Sequence, residues 1–395
     1  MTHIRAHHRE MTVAIELRWN DYSLSEDDVD VRAMLREFFA EQSPAEVVRA
    51  AEPLGFDESL WRSALRAGIA DLSLPEEHGG QGAGLTELVL AAEEVGRTVA
   101  PVPLVDHAVA TRLLAELPET HPELAPAVAG DLILSIAPLS ARRPGAQLVP
   151  SGAVARGVLA MDGDDLVLLR RESTPAPADN QGSAPVAWWD PADPMVERSV
   201  LATGEAARAL WRRAEAEWQV ATASALVGLA EGASLLARTY TVQRKAFGTP
   251  IAAFQAISHT LVDVHEAVQT ARNLTLKAAW FLAEEPDSRP DLPTMALANA
   301  ARVATDVTMK CVHVHGGFGI MLEADVSLFH RRAAVWGQLG GGSSLHLQTI
   351  AAGLDRLAAR AATPAAAPAA PATAPVRITS ATSRPAADLI TSRES

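Results

Sequence analysis

One cysteine, Cys311, is all the chain offers in 395 residues. That excludes an intrachain disulfide framework and a cysteine-rich metal site. Basic residues are also short, 34 Lys and Arg against 48 Asp and Glu, for a net charge of -14. Without a basic excess to neutralise phosphates, general nucleic-acid binding is excluded, while a local site for an anionic ligand stays open. No uninterrupted apolar run is long enough to cross a bilayer. No apolar targeting core follows the lead-in around His3, His7 and His8. The expectation is a soluble, cytoplasmic protein without a membrane partner.

What is present supports a large core, since 48% of the residues are hydrophobic, enough for two or three domains. From Glu26 the pattern turns helical, with Asp27, Asp28 and Asp30 at the favourable N-terminal end. Helical spacing returns at 60–65, 85–97 and 104–117. Leu132–Ile136, Gly157–Met161 and Leu166–Leu169 are short apolar pieces separated by Gly and Pro, as in a small sheet domain. Residues 173–187, rich in Pro, Ala, Ser and Asn, read as an exposed loop. Trp188 and Trp189 read as anchors of the strand that returns from it. Long helices are then expected over 206–240, 254–284, 294–314 and 343–359. The fold class is mainly α with a small central β domain. Its parts are a helical domain over 24–130, a β domain over 131–203 and a C-terminal four-helix bundle over 204–359. A Pro/Ala-rich tail without aromatics, 360–395, is expected to be disordered.

Two segments hold candidate ligand contacts. Tyr240-Thr-Val-Gln-Arg-Lys-Ala-Phe-Gly-Thr-Pro-Ile-Ala-Ala-Phe-Gln255 reads as a helix end, a turn at Gly248 and Pro250, and a helix start. It gathers Arg244, Phe247 and Gln255 at one junction. There a guanidinium can pair with phosphate, a ring can cover a heterocycle and an amide can read its edge. A plain helix stop explains the same letters. In His313-Val-His-Gly-Gly-Phe-Gly319, Gly316 and Gly317 can expose backbone donors to a phosphate group, or simply end a helix. His313 and His315 lack a third ligand, so no metal site is expected.

In order along the chain, these segments resemble the acyl-CoA dehydrogenase family over roughly residues 24–357. The loop Pro75-Glu-Glu-His-Gly-Gly80 is similar to the family's "PEEyGG", and Glu93-Glu-Val-Gly-Arg97 to its "EElGR" helix end. The resemblance implies FAD bound across a subunit interface and removal of vicinal hydrogens from an acyl-CoA thioester. It further implies that Arg244, Phe247, Gln255, His313, Gly316 and Gly317 contact the cofactor, with His313 standing where relatives often carry glutamine. Arg331, inside Phe329-His-Arg-Arg332, is implied near the last helix connection, where a solvated basic cluster is the alternative. Electron-transferring flavoprotein is the implied acceptor.

The chain then departs from the family pattern. The α-proton base of many relatives opens an "EGTSEI" segment, which corresponds here to Gly340-Gly-Gly-Ser-Ser-Leu345. Gly340 takes the place of the base, and Gly342 that of a flavin-contacting threonine. In other branches the base lies on the long helix, at a position that falls on Trp218. Glu217 is one residue away, rotated by roughly 100 degrees around a helix, and its plain reading is a solvated helix glutamate; Glu215 is a weaker candidate still. The family's "TEPxaGSD"-like segment corresponds to Ala137–Gly145 without its acidic-Gly-Ser pattern. Distal FAD contacts thus persist while the reactive centre is missing. The resemblance narrows to a non-catalytic subunit of an actinobacterial heterotetramer that acts on steroid side chains or other bulky acyl-CoA, beside a homologous catalytic subunit. A homomeric dehydrogenase with Glu217 as a displaced base, and a non-enzymatic acyl-CoA-binding or scaffold protein, remain alternatives.

Overall fold

The computed structural model describes residues 22–362. The lead-in before them, and all of the expected tail beyond Ala362, lie outside the described residues. The chain up to Leu354 packs as one unit and Asp355 begins a second.

Six helices come first: α1 (Glu26–Gln42), α2 (Ala45–Ala50), α3 (Glu58–Arg66), α4 (Leu85–Arg97), α5 (Leu104–Ala115) and α6 (Leu124–Val128). Their starts are written in the sequence. The Ser25 hydroxyl accepts from the Asp28 backbone N–H while the Asp28 carboxylate accepts from the Ser25 N–H, which closes a capping box on α1. Asp57 caps α3 by accepting from the Leu60 N–H at 2.7 Å.

Strands β1 (Leu134–Ile136), β2 (Gln147–Val149), β3 (Gly157–Asp162), β4 (Asp165–Arg170), β5 (Ala187–Trp189) and β6 (Glu197–Thr203) follow. They form a four-stranded sheet in the order β1-β3-β4-β6 and a β2-β5 ribbon. β1 runs parallel to β3, and the other pairs are antiparallel. The two-residue period of the strands sorts their side chains. Leu159, Met161, Leu166 and Leu168 join the main helical core, whereas Val158, Ala160, Val167 and Leu169 pack with Trp189 of the ribbon. Trp189 is therefore an anchor as expected, but Trp188 is 59% exposed. The 173–187 loop is also less exposed than its composition suggests. Gly182, Ser183 and Ala184 are buried, and a side chain at Gly182 would strike Val335 and the Arg331 carbonyl.

The remainder is helical: α7 (Gly204–Gln243), α8 (Gln255–Glu284), α9 (Leu292–His315), α10 (Asp325–Trp336) and α11 (Gly342–Ala362). Four of these match the expected bundle. α10 is additional, because its Phe-His-Arg-Arg core reads as a polar connection in one dimension. α7 is long and apolar enough to span a bilayer, yet 83% of its most apolar stretch is buried inside the protein, which makes it the core helix. Its Glu231 interrupts the run in sequence.

The Glu93–Arg97 motif explains how α4 and α7 meet. A Cβ at Gly96 would collide with the Ala225 carbonyl, and one at Gly228 with the Glu93 carbonyl. The two backbones therefore cross at a distance that only glycine permits. The motif's charges are buried in a network. Arg272 donates to Glu93 at 3.1 and 3.2 Å, and Glu94 accepts from Arg36 at 2.9 and 3.0 Å and from Arg97. This motif fastens helices.

Candidate functional site

Two regions carry the residues singled out above. The first is the helix junction after α7. Arg244 is the C-cap of α7, with its N–H bonded to the Tyr240 carbonyl at 2.8 Å. A hairpin of β7 (Lys245–Ala246) and β8 (Thr249–Pro250) turns at Phe247 and Gly248, both left-handed at φ 52° and 82°. Two positive φ values suit a two-residue hairpin, but they are costly for a bulky side chain such as phenylalanine. The Phe247 ring nevertheless stands 98% exposed, with the Phe254 ring edge-on to it at 6.2 Å. Arg244 and Gln255 are exposed, and neither side chain has a hydrogen-bond or ion-pair partner among the described residues.

The second glycine segment lies beside this junction. Tyr240, one turn before Arg244, stacks on His315 with centroids 4.4 Å apart. His315 is held by a hydrogen bond between its Nδ1 and the Cys311 carbonyl, 2.7 Å, and directly precedes Gly316. Gly316 is left-handed at φ 66°, and nothing lies within 4 Å of a side chain built on it or on Gly317. His313 is exposed. The Tyr240–His315 stack therefore sets the end of α7, where Arg244 follows, beside the end of α9, where Gly316–Gly317 follow. The Gly316 N–H donates to the His313 carbonyl, and a cation, an exposed ring, an amide and a backbone without side chains in the way suit the close approach of a dinucleotide's diphosphate and heterocycle. No group of three His, Cys, Asp or Glu side chains among the described residues could hold a metal.

The second region surrounds Gly340, the position that the resemblance assigns to a base, and Trp218 packs against it. A Cβ at Gly340 would stand 2.7 Å from the Trp218 ring, and Gly340 is itself left-handed at φ 75°. A side chain at Gly342 would collide with Gln338. Trp218 is 1% exposed, and its indole N–H donates to the Asp106 carboxylate at 2.8 Å. Ser151 donates to the other Asp106 oxygen. Burial raises the Asp106 pKa, against these two hydrogen bonds. His346, buried beside Gly340, is pushed down to about 4 by burial and then by the Arg142 charge, and is neutral at pH 7.

Glu217 is not a solvated helix residue. It is 3% exposed, and Arg112 grips it with two bonds of 2.8 Å, one to each carboxylate oxygen. The same arginine donates to the Ser73 carbonyl, which ties the 71–80 loop to α5 and α7. Both oxygens of Glu217 are committed to holding the fold. Glu215 is committed likewise, accepting from Arg142 at 2.6 Å, with its pKa raised by burial. Arg331 is bonded to Glu52 at 2.8 Å, and Arg332 is 2% exposed, so this pair is no solvated basic cluster. Sequence reasoning missed Arg112 and Asp106. Their partners lie far away in the chain, and no local spacing announces them.

Residues 25–118 match the profile of the acyl-CoA dehydrogenase N-terminal domain, and residues 217–354 that of the acyl-CoA dehydrogenase C-terminal domain. Together the matches cover more than half of the chain. It belongs to the acyl-CoA dehydrogenase family. Among its relatives, acyl-CoA dehydrogenase IpdE2 of Mycolicibacterium smegmatis is 29% identical over 328 residues, covering 78% of this chain and 94% of that protein. Acyl-CoA dehydrogenase FadE27 of Mycobacterium tuberculosis is 29% identical over 340 residues, covering 75% and 87%. Among solved structures, a variant of the Tcur3481–Tcur3483 steroid ACAD superposes with a TM-score of 0.76 at 25% identity, covering 85% of this chain and 100% of that one. The ChsE4–ChsE5 complex of Mycobacterium tuberculosis gives 0.74 at 25% identity, covering 88% and 100%. The chain thus resembles members of heteromeric steroid-degrading acyl-CoA dehydrogenases in sequence and structure.

Proposed function

We propose that this chain is the non-catalytic subunit of an FAD-dependent acyl-CoA dehydrogenase, and that it completes a flavin site on a homologous catalytic partner. One observation carries the reading. Arg244, Phe247 and Gln255, suited to the distal half of FAD, stand exposed, and the side chains of Arg244 and Gln255 have no hydrogen-bond or ion-pair partner among the described residues, whereas the place of the base is filled by Trp218 and has no room for a side chain. The residues present fit the diphosphate end of the cofactor and not its reactive ring.

When bound, FAD supplies the hydride acceptor for α,β-desaturation. This chain's share is to bind and orient. Arg244 pairs with a phosphate, Phe247 covers a ring, Gln255 donates a hydrogen bond, the bare Gly316–Gly317 backbone lets the diphosphate approach closely, and His313 takes the place of an amide at the same face. The partner supplies the carboxylate that removes the α proton. Exposed apolar side chains surround these residues, with Val242 63%, Phe318 54%, Ile320 72% and Leu322 64% exposed. A cluster of this kind suits coverage by another chain. The steroid ACAD among the structural relatives favours a steroid-derived or other bulky acyl-CoA as substrate, in a cytoplasmic heterotetramer that passes electrons to an electron-transferring flavoprotein.

Paired expression with a homologue that keeps the glutamate base tests the assembly. We expect a yellow complex whose native mass contains both chains, and a colourless chain when this one is made alone. A yellow homomer bleached by acyl-CoA would overturn the reading in favour of a self-sufficient enzyme. Acyl-CoA affinity without flavin in any assembly would instead mark a binding or scaffold protein.

A further inference from the structure

The segment that carries Gly316 and Gly317 stands out from the core. From Gly316 to Glu323 every residue is exposed except Gly319, where a side chain would strike the Val312 carbonyl. Its own backbone bonds are local, from the Met321 N–H to the Phe318 carbonyl at 3.0 Å and from the Ala324 N–H to the Met321 carbonyl at 3.1 Å. Among the described residues, one side chain from outside the segment is hydrogen-bonded to it, that of Arg49. Its Nη1 donates to the Leu322 carbonyl, and its Nη2 to the Glu323 carbonyl at 2.9 Å and to the Asp325 carboxylate at 2.8 Å.

Arg49 is itself fixed in place. It lies on α2, where its neighbour Val48 is fully buried in the main core. Just beyond α2, Glu52 accepts from Arg331 of α10 at 2.8 Å, so this part of the chain grips α10 at two points. Water satisfies exposed carbonyls about as well as an arginine does, so bonds from one guanidinium add location more than stability. Its planar, charged fork also sets the direction of the backbone that it holds. At the other end the segment is set by the Tyr240–His315 stack. The Gly316–Gly317 backbone takes its place between these two fixed ends.

We propose that Arg49 is a positioning residue for the flavin contact, which holds the Leu322 and Glu323 carbonyls and thereby sets where the Gly316–Gly317 backbone meets the cofactor's diphosphate. Arg49 touches no cofactor itself. This role rests on the flavin reading above, yet one of its two consequences shows in the chain alone.

That consequence is local mobility. In the full-length chain without flavin or partner, Arg49→Met is expected to speed amide hydrogen exchange across 316–324 at least about threefold, with exchange in α4 and α7 as in the wild type. The second consequence is affinity. In the complex with the base-bearing homologue, stripped of flavin and titrated with FAD, Arg49→Met should weaken binding by about threefold to tenfold. Arg49→Lys, which keeps the charge and reaches fewer acceptors, should fall between it and the wild type. Arg244→Ala is the reference. Unchanged exchange across 316–324, or wild-type FAD affinity beside a weakened Arg244→Ala complex, overturns the positioning role and leaves the flavin reading standing. Faster exchange in every helix marks a structural residue and overturns it too. Full FAD affinity in Arg244→Ala overturns the flavin reading, and this role with it. Should Arg49→Met not fold, Arg49→Lys decides by the same two readouts.

Discussion

Gly340→Glu will restore the carboxylate that many relatives use as a base, and it will create no desaturase. The substitution is expected to lower the unfolding free energy by roughly 2–4 kcal/mol. Two costs combine. A Cβ at this position meets the Trp218 ring at 2.7 Å, in a core where Trp218 is fixed by its bond to Asp106. The backbone is also left-handed at φ 75°, which a side chain disfavours. Gly340→Ala should carry a large part of the loss, since the first carbon already collides. Urea denaturation reads the stability, and anaerobic bleaching of added FAD by acyl-CoA reads the chemistry. An unchanged urea midpoint together with new bleaching would mean that the site is open, contrary to the packing described.

The second large effect is expected at Arg112. Arg112→Ala removes both bonds to Glu217 and the bond to Ser73, and leaves a carboxylate that is 3% exposed with, among the described residues, the longer 3.4 Å contact from Arg213. Breaking a buried pair from one side costs about 3–5 kcal/mol. The remaining Arg213 contact places the expected loss at the lower end of that range. The same comparison separates two roles for Glu217. A structural partner of Arg112 predicts that Glu217→Gln also destabilises the chain. A base would predict loss of turnover at unchanged stability.

These expectations show where sequence was informative. Caps, turns and apolar periodicity are local, so α4 appears at its observed ends and α8 within one residue. The Arg244–Gln255 junction was also legible, because its turn and the ends of both flanking helices lie within the sixteen residues 240–255. β6 and α10 were harder. β6 alternates weakly at a sheet edge, and α10 owes its helical state to burial of Arg332 and Phe329 rather than to a clean apolar stripe. The closed centre was half legible. The absence of a side chain at Gly340 is plain in the sequence, but the indole that fills the gap comes from a helix more than a hundred residues earlier, and the Asp106 that fixes it from earlier still. Pairings at that range follow from the fold and leave no spacing to read. Glu217 illustrates the consequence. Alone it reads as an exposed helix glutamate, and only α5 folded against α7 turns it into half of a buried pair.

The face formed by Arg244, Phe247, Gln255 and Gly316–Gly317 is the part of the account on which its function depends. It is tested most directly by Arg244→Ala in the complex co-expressed with the base-bearing homologue, reading FAD per complex from the absorption spectrum of the purified protein. Arg244 is exposed and has no partner within the described residues of its own chain, so the fold and the assembly should survive the change. The account predicts FAD affinity at least about tenfold weaker, the loss expected when a guanidinium–phosphate pair is removed, and a complex that purifies pale. Full flavin occupancy in the variant complex would contradict it.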